Sequence, residues 1–331
     1  MTRCLRFLPL LFLLSLAACR PELTIHAPNV VIKVNAEPTQ LAELRDEDPT
    51  YTETVYPIVL VHGLYGFKDI FSMDYFWLVP QALEFGGADV YIISVSGLHS
   101  SEARGEQLLE QVEDIVALSG AGKVNLIGHS HGGPTTRYVA AVRPDLVASV
   151  STVHGVNTMG SSTADMILDA LQAAGTGLVL QVTFNALGAL IDFVAQDFHP
   201  QTAIQSFRSL SFEGVEAFNA AYPQALPAVA CGEGAYEVNG VKYYSWSGNV
   251  VATNPMDPLD WLMEASGSTT TEETDGMVTR CGSHLGMVIK DDYAHNHLDA
   301  MNWTVGLLRA DAENPLTIYR TQANRLKNAG L

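Results

Sequence analysis

Short apolar runs alternate with longer amphipathic stretches from about residue 55 to residue 153. Four of the runs are rich in β-branched residues and have the length of strands; they are residues 56–61, 90–95, 124–127 and 146–153. Continuous apolar runs of this length are typical of parallel strands that are covered on both faces. Their alternation with helical stretches predicts a doubly wound α/β sheet.

The clearest helical stretch is residues 100–118. Its apolar side chains fall on one helical face: Leu108, Leu109, Val112, Ile115 and Val116. Ser100 or Ser101 can cap the start of the helix, and Gly120 can end it.

Two later regions depart from this alternation. Residues 163–196 are apolar and almost uncharged, which favours core helices for part of the stretch. Residues 236–246 contain Asn239-Gly240, a pair typical of a tight turn. We therefore expect a hairpin there, at the far edge of the sheet.

The first 50 residues indicate export followed by a tether. Arg3 and Arg6 precede an apolar run over residues 7–16, which predicts a signal peptide at 1–18. Residues 16–19 (LAAC) resemble the lipobox of bacterial lipoproteins, in which Cys19 would be lipidated; ordinary cleavage is the alternative. The composition of residues 19–50 predicts an acidic, Pro-containing tether, in which residues 30–32 can form one short strand and no core begins.

Composition and charge exclude several classes of protein. Hydrophobic residues make up 47% of the chain and charged residues 16%, which excludes a disordered chain. The net charge of −18 repels phosphate backbones, so we expect no nucleic-acid partner. It also disfavours electrostatic docking on anionic lipid, so membrane attachment would be apolar or covalent.

Four cysteines are present, and two of them, Cys4 and Cys19, lie in the export segment. An even remaining pair in an exported chain, Cys231 and Cys281, predicts a disulfide. The alternative is two unrelated buried thiols.

A G-x-S-x-G motif at residues 128–132 follows a strand and precedes a helix. In that context the glycines permit a sharp turn that exposes the hydroxyl of Ser130 as a nucleophile. Upstream, His62-Gly63-Leu64 follows another strand, where a backbone N–H can stabilise an oxyanion.

Acyl transfer also needs a histidine base and an acid that orients it. Spacing alone does not choose among the late candidates, which are His284, His295 and His297 for the base and Asp257, Asp260 and Asp275 for the acid.

Four segments resemble the Pseudomonas-type true lipases of bacterial lipase family I. They are residues 56–64 (YPIVLVHGL), 124–134 (VNLIGHSHGGP), 137–144 (RYVAAVRP) and 281–289 (CGSHLGMVI). The likeness extends over about residues 50–331 and includes the ending at 323–328 (ANRLKN). It implies that residues 51–331 form an α/β-hydrolase domain with a mostly parallel central sheet flanked by helices and a helical lid at about 163–196.

The resemblance assigns roles to individual residues. It implies Ser130 as nucleophile, Asp275 as acid and His297 as base, with the backbone N–H groups of Leu64 and His131 as the oxyanion hole. Thr274 stands where the family usually has Asn, so we expect a looser turn before the acid.

The resemblance also implies a structural Ca²⁺. Asp257 and Asp299 match its carboxylate ligands, and the carbonyl oxygens of Trp303 and Leu307 match the other two. Such hard oxygen ligands suit the ion, and Asp299 lies two residues beyond His297. Cys231 and Cys281 match the family's single disulfide. Many members need a dedicated membrane-anchored foldase, so the resemblance makes such a foldase a candidate partner.

The expected function is therefore triacylglycerol lipase, a serine ester hydrolase acting on acylglycerols at a lipid–water interface. One alternative is an esterase for soluble short-chain esters or polyesters, and another is a non-catalytic binding lipoprotein. We expect an exported protein, as an outer-membrane or cell-surface lipoprotein in preference to a secreted one.

Overall fold

The computed structural model describes residues 23–27, 30–34, 41, 44, 48–70 and 73–331. The strands are β1 (Leu23–Ala27), β2 (Val30–Val34), β3 (Ile58–Val61), β4 (Asp69–Ile70), β5 (Met73–Asp74), β6 (Val90–Ile92), β7 (Val124–His129), β8 (Val147–Val153), β9 (Glu237–Val238), β10 (Val241–Gly248) and β11 (Met287–Tyr293). The signal segment and Cys19 lie outside the described residues.

The helices flank the sheet or connect its strands. They are α1 (Val79–Glu84), α2 (Ser101–Ser119), α3 (Gly132–Val142), α4 (Ser162–Gln172), α5 (Gly177–Ala195), α6 (Ala203–Leu210), α7 (Phe212–Ala221), α8 (Asp260–Gly267), α9 (Trp303–Gly306) and α10 (Pro315–Asn328). Short 3-10 turns lie at Cys281–Ser283 and Asp299–Met301.

Six parallel strands form the central sheet in the order β11-β10-β8-β7-β3-β6, and β9 pairs antiparallel with β10. Alternation of side chains along β3 divides the core into two layers. Ile58 and Leu60 pack on the side that includes α1 and α10, whereas Val59 and Val61 pack on the side of α2 and α3. The sheet is thus covered on both faces, which confirms the predicted α/β class.

Helix α2 confirms the predicted start and end signals. The Ser100 hydroxyl accepts the Ala103 N–H at 3.3 Å, and Gly120 ends the helix with a φ of 67°. Leu108, Val112 and Ile115 are buried against the sheet.

The predicted hairpin is present, but its position in the sheet is wrong. Asn239 and Gly240 have positive φ values of 54° and 78° between β9 and β10. Strand β10 lies between β8 and β11, so β11 forms that edge. Lys290, Asp291 and Asp292 interrupt the apolar pattern of β11 and explain why the sequence did not reveal a strand there.

Two residues of the predicted tether contact the core of the domain. Leu41 and Leu44 are buried in the same cluster as Phe76, Leu316 and Tyr319. The predicted short strand lies within β2, which pairs antiparallel with β1.

The expectation of core helices for part of residues 163–196 is confirmed for α4, where Ala164 and Leu171 are buried, and does not extend to α5. The side chains of α5 are widely exposed, including Leu178 at 74%, Val179 at 66% and Phe193 at 67%. By length and composition alone α5 could also cross a bilayer, which is weak evidence for a membrane span. Asp192, the one charged residue of α5, is buried and accepts hydrogen bonds from the His199 N–H and Gln201 Nε2. The exposed face of α5 is therefore both apolar and uncharged.

Candidate active site

The nucleophile turn joins β7 to α3. Ser130 follows the last residue of β7 and has a φ of 56°, in the left-handed region that non-glycine residues rarely adopt. A Cβ on Gly128 would lie 2.3 Å from the Gly132 carbonyl oxygen, and one on Gly132 would lie 2.3 Å from the Val61 carbonyl oxygen. Both positions therefore require glycine, and the turn places the Ser130 hydroxyl at the carboxyl edge of the sheet.

Ser130, His297 and Asp275 lie in hydrogen-bonding order. Ser130 Oγ is 2.8 Å from His297 Nε2, and His297 Nδ1 is 2.8 Å from Asp275 Oδ2. Because a carboxylate only accepts, Nδ1 carries the proton and Nε2 offers its lone pair to the serine hydroxyl. This is the arrangement of a nucleophile, a general base and an orienting acid.

The Asp275 carboxylate accepts four hydrogen bonds. Oδ1 accepts from the backbone N–H groups of Met277 at 2.8 Å and Val278 at 2.7 Å. Oδ2 accepts from His297 Nδ1 and from His154 Nδ1, the latter at 2.7 Å. Burial alone would raise the pKa of Asp275, but the charge that His297 can carry and the hydrogen bonds of both histidines hold it well below its usual value. The carboxyl is therefore ionised at neutral pH.

Thr274 stabilises the turn of the acid, contrary to the expectation that it loosens it. Its hydroxyl donates to the Val278 carbonyl at 2.8 Å and accepts the Gly276 N–H at 3.1 Å. A threonine can thus span this turn with one donor and one acceptor.

The other late histidines have partners elsewhere. His295 Nε2 donates to the Glu313 carbonyl, and His284 contacts the Gly232 carbonyl and Asp291. Sequence reasoning missed His154, whose only signal is its place directly after β8, at the same sheet edge as Ser130.

By type, His154, Asp275 and His297 could also ligate a metal ion. Their contacts of 2.7 and 2.8 Å are hydrogen-bond distances between nitrogen and oxygen. An inserted ion would need about 2.0 Å to each ligand atom and would replace those bonds. The geometry favours the hydrogen-bonded cluster.

Two backbone N–H groups lie free beside the nucleophile. Within the described part of the chain, neither Leu64 N–H nor His131 N–H donates a hydrogen bond. The loop after β3 touches the nucleophile, because a Cβ on Gly63 would lie 2.8 Å from Ser130 Cβ. Such donors can bind a developing oxyanion.

Hydrogen bonds connect that loop to the histidine base. The Gly63 N–H donates to the Tyr75 hydroxyl at 3.1 Å, which donates to His129 Nδ1 at 2.9 Å. His129 Nε2 donates to the His297 carbonyl at 3.0 Å. Burial holds the pKa of His129 well below its usual value, so its neutral ring supplies one acceptor and one donor.

Arg104 holds the loop after β3 through buried hydrogen bonds. Its fully buried guanidinium donates to the His62 carbonyl at 2.6 Å and to the Ser96 carbonyl, and its Nε donates to Thr135 Oγ1 at 3.2 Å. Burial lowers the pKa of Arg104 to about 9, so it remains charged at neutral pH.

The proposed calcium carboxylates, Asp257 and Asp299, are both buried. Asp299 Oδ2 accepts the Asn296 N–H at 2.9 Å, whereas its Oδ1 has no hydrogen-bond partner among the described residues. Burial raises the pKa of Asp299 to about 7; the hydrogen bond from Asn296 opposes this rise, and the negative charges of Asp257 and Asp260 add to it. A buried, unpaired carboxylate oxygen with acidic neighbours fits a hard divalent cation.

Asp260 supports the loop that carries the histidine. Its Oδ2 accepts the N–H groups of Thr253 at 2.7 Å and Asn254 at 2.8 Å, and its Oδ1 accepts Asn296 Nδ2 at 2.8 Å. Because Asn296 precedes His297, Asp260 connects the start of α8 to the loop of the base.

Cys231 and Cys281 form a disulfide, which confirms that prediction. It closes a separation of 50 residues that includes Asp257 and Asp275. Closure of such a loop stabilises the fold by about 4 kcal/mol in the chain-entropy account.

Helix α5 packs over the loop after β3. The rings of Tyr65 and Phe184 stack with centroids 6.5 Å apart, and Leu64 belongs to the apolar cluster that Leu180 joins. Ser130 is only 9% exposed, so the nucleophile is largely covered.

Comparison with family models places residues 56–258 in the alpha/beta hydrolase fold. A triacylglycerol lipase of Vibrio cholerae serotype O1 is 52% identical over 283 residues, covering 85% of this chain and 90% of the relative. A triacylglycerol lipase of Pseudomonas fragi is 44% identical over 292 residues, covering 84% of this chain and 98% of the relative.

Solved structures show the same fold at low sequence identity. The mature Bacillus licheniformis lipase BlEst2 matches 76% of this chain and 89% of its own, with a TM-score of 0.52 and 21% identity. The Staphylococcus hyicus lipase matches 86% of this chain and 99% of its own, with a TM-score of 0.52 and 17% identity.

Proposed function

The chain belongs to the bacterial triacylglycerol lipases of the alpha/beta hydrolase fold, and we propose that it cleaves water-insoluble acylglycerols through an acyl-enzyme at Ser130. The observation that carries this proposal is the hydrogen-bonded order Ser130–His297–Asp275 beside two free N–H groups. An inactive binding scaffold would not need to keep this geometry.

Acylation begins when Ser130 Oγ attacks the ester carbonyl carbon and His297 Nε2 takes the serine proton. Asp275 stays ionised and stabilises the imidazolium that forms. The N–H groups of Leu64 and His131 bind the oxyanion of the tetrahedral intermediate. The imidazolium then protonates the leaving glyceride oxygen.

Deacylation repeats these steps with water. His297 Nε2 accepts a proton from the water that attacks the acyl carbon, and the tetrahedral intermediate again binds at the two N–H groups. Its collapse releases the fatty acid and returns the proton to Ser130 Oγ.

Helices α4 and α5 serve in this proposal as a lid that opens on lipid. The support is the apolar, uncharged exposed face of α5 together with the coverage of Ser130. An apolar helix face gains stability by entering a lipid surface, which would offset the free energy needed to separate α5 from the loop after β3.

A structural Ca²⁺ would be held by Asp257 and Asp299, with the carbonyl oxygens of Trp303 and Leu307. When bound, the ion would neutralise the buried carboxylates and hold the loop that carries His297. The unpaired Asp299 Oδ1 supports this assignment. The chemical steps rest on Ser130, His297 and Asp275.

Export by residues 1–18, lipidation at Cys19 and a cell-surface location complete the proposal. Their support is the basic start, the apolar run and the LAAC segment. A membrane-anchored foldase remains a candidate partner on the basis of the family resemblance.

Replacement of the nucleophile tests the function. Ser130→Ala should lower kcat on triglyceride by about 10⁶-fold with an unchanged melting curve, because only the covalent step is lost. A serine-directed phosphonate should label wild type and not the variant, and Ser268→Ala, at an exposed serine, should behave as wild type. Retained turnover and labelling in Ser130→Ala would place the nucleophile elsewhere.

Substrate form separates a lipase from an esterase. Higher rates on emulsified long-chain triglyceride than on dissolved short-chain esters would support the proposal. The opposite ranking would favour the soluble esterase.

A further inference from the structure

His154 is a fully buried histidine that the acyl-transfer steps do not use. It follows the last residue of β8, and its N–H donates to the Trp246 carbonyl of β10 at 2.9 Å. Its φ is 48°, a left-handed conformation that is unusual for histidine. The surrounding sheet therefore fixes both its backbone and its direction.

The ring of His154 shares one carboxylate oxygen with the catalytic base. His154 Nδ1 and His297 Nδ1 lie 2.7 and 2.8 Å from Asp275 Oδ2. The carboxylate accepts both bonds, so His154 carries a proton on Nδ1. Its Nε2 has no hydrogen-bond partner among the described residues, and burial lowers the pKa of His154, so the ring is a neutral donor.

The four donors to Asp275 differ in what they fix. The Met277 and Val278 N–H groups belong to the same turn as Asp275, so they orient the carboxylate only within its own loop. His297 lies on another loop and changes charge during the reaction. His154 alone of the four extends from the end of a central strand.

We propose that His154 is a positioning residue of the reaction, which anchors the Asp275 carboxylate to the end of β8 so that Oδ2 faces His297. This inference rests on the proposed roles of Ser130, Asp275 and His297. Without the His154 donor, Oδ2 would lose one of its two hydrogen bonds, and the carboxylate would be tied to the rest of the molecule mainly through His297. A small misplacement of the acid slows proton transfer at His297 and leaves substrate binding intact.

The positive φ of His154 allows a matched pair of variants. His154→Gly removes the donor and adopts this backbone without strain. His154→Asn also tolerates the left-handed region and places an amide N–H near the position of Nδ1. Both variants are compared with wild type on a dissolved short-chain ester, so that opening of the proposed lid on lipid does not contribute to the measured rates.

Active-site titration with a serine-directed phosphonate normalises each rate to folded enzyme. We expect His154→Gly to lower kcat about tenfold at unchanged KM, because one hydrogen bond to a buried charge is lost. His154→Asn should recover most of that loss. A similar melting temperature for both variants would exclude global destabilisation as the cause of the difference.

Two outcomes would overturn the proposal: wild-type kcat in His154→Gly, or equal losses of kcat in both variants. Equal losses would mean that the shape of the ring matters and its donor does not. Ser130→Ala measured in parallel separates the two levels of inference. An inactive Ser130→Ala beside a fully active His154→Gly rejects the role of His154 alone, whereas an active Ser130→Ala rejects the catalytic assignment on which it depends.

Discussion

Single residues with unusual backbone conformations build this site. Ser130 and His154 have φ values of 56° and 48°, and each directly follows a parallel strand of the sheet. Such conformations cost roughly 1–3 kcal/mol and persist only where neighbouring contacts hold them. The Ser130 N–H donates to the Val153 carbonyl at 3.0 Å, so the turn of the nucleophile is bonded to the strand that leads to His154. The strained conformation of Ser130 is therefore held in place by a hydrogen bond to β8, the neighbouring strand.

The charge of Asp275 should appear in the pH dependence of stability. Burial would raise its folded-state pKa, but the charge of His297 and the two histidine hydrogen bonds outweigh burial and lower it. The unfolded-state pKa is about 4, so Asp275 stabilises the fold above that pH and loses this contribution as the pH falls below it. Asp275→Asn should therefore destabilise the protein by about 1 kcal/mol less at pH 3 than at pH 6.

Urea unfolding of wild type and Asp275→Asn at both pH values measures this difference. Comparison of the two proteins at each pH cancels the titration of the other carboxylates. The same loss of unfolding free energy at pH 3 and pH 6 would contradict a lowered pKa for Asp275.

Residue roles were only partly predictable from the sequence. Ser130 was predictable because the G-x-S-x-G turn is local and its strand and helix adjoin it. Spacing could not distinguish His297 from His284 and His295 as the base, since 167 residues separate His297 from Ser130. Only the family resemblance identified it. His154 was missed, and Asp260, a candidate acid by sequence, instead holds Asn296 of the histidine loop. Both roles depend on how distant loops pack.

Elements were predictable where one pattern determines them. The buried strands β3, β7 and β8 carry continuous apolar runs, and α2 carries its own cap and stop. Strand β11 was not predicted because charged residues occupy its second half. The exposure of α5 could not be read from its sequence, because an apolar helix suits a core and a lipid surface equally.

Charged residues on the exposed face of α5 should lower the activity on emulsified lipid but not the activity on a dissolved ester. Leu178 and Phe193 are 74% and 67% exposed, so Leu178→Glu with Phe193→Glu should leave the fold intact. We expect at least a tenfold lower rate on emulsified triglyceride and little change on a dissolved ester, because carboxylates resist entry into lipid.

Leu118→Glu is the matched control, since Leu118 is 80% exposed at the end of α2, outside the lid segment. Equal losses on both substrates would mean that the charges on α5 damage the site itself. An unchanged rate on emulsions would mean that α5 does not meet lipid.

Chelation should loosen the loop after β11 that carries His297 and Asp299. An ion bound only to the native state stabilises it by mass action, by about 2.7 kcal/mol at a hundredfold excess over Kd. Excess EDTA should therefore lower the melting temperature and activity together. Asp299→Ala should mimic chelation and lose the response to added Ca²⁺.

Asp260→Ala is unsuitable as the control for that experiment, because Asp260 holds Asn296 and two backbone N–H groups. Asp114→Asn, at an exposed position of α2, is suitable. An unchanged melting curve of wild type in excess EDTA would mean that Asp257 and Asp299 hold no structural ion.

At the scale of the whole molecule, the disulfide restrains the loops of the site, whereas the net charge determines how the surface interacts with water and membranes. The Cys231–Cys281 bond closes the segment that carries Asp257, Asp260 and Asp275, so it restrains the acid loop and the proposed ion site together. The net charge of −18 favours solubility and opposes adsorption to anionic membranes. Contact with lipid therefore has to come from apolar surface, such as the exposed face of α5, or from a covalent anchor.

Cell fractionation should show whether a lipid anchor at Cys19 holds the protein at the membrane. If Cys19 is lipidated, its acyl chains hold the chain in the membrane fraction, since two or more chains give stable attachment where one does not. Cys19→Ser should then move the protein to the soluble fraction with its specific activity unchanged. High salt should not release wild type, because a chain of this negative charge is not held electrostatically. A soluble wild type whose mature chain begins after Cys19 would instead establish ordinary cleavage and secretion.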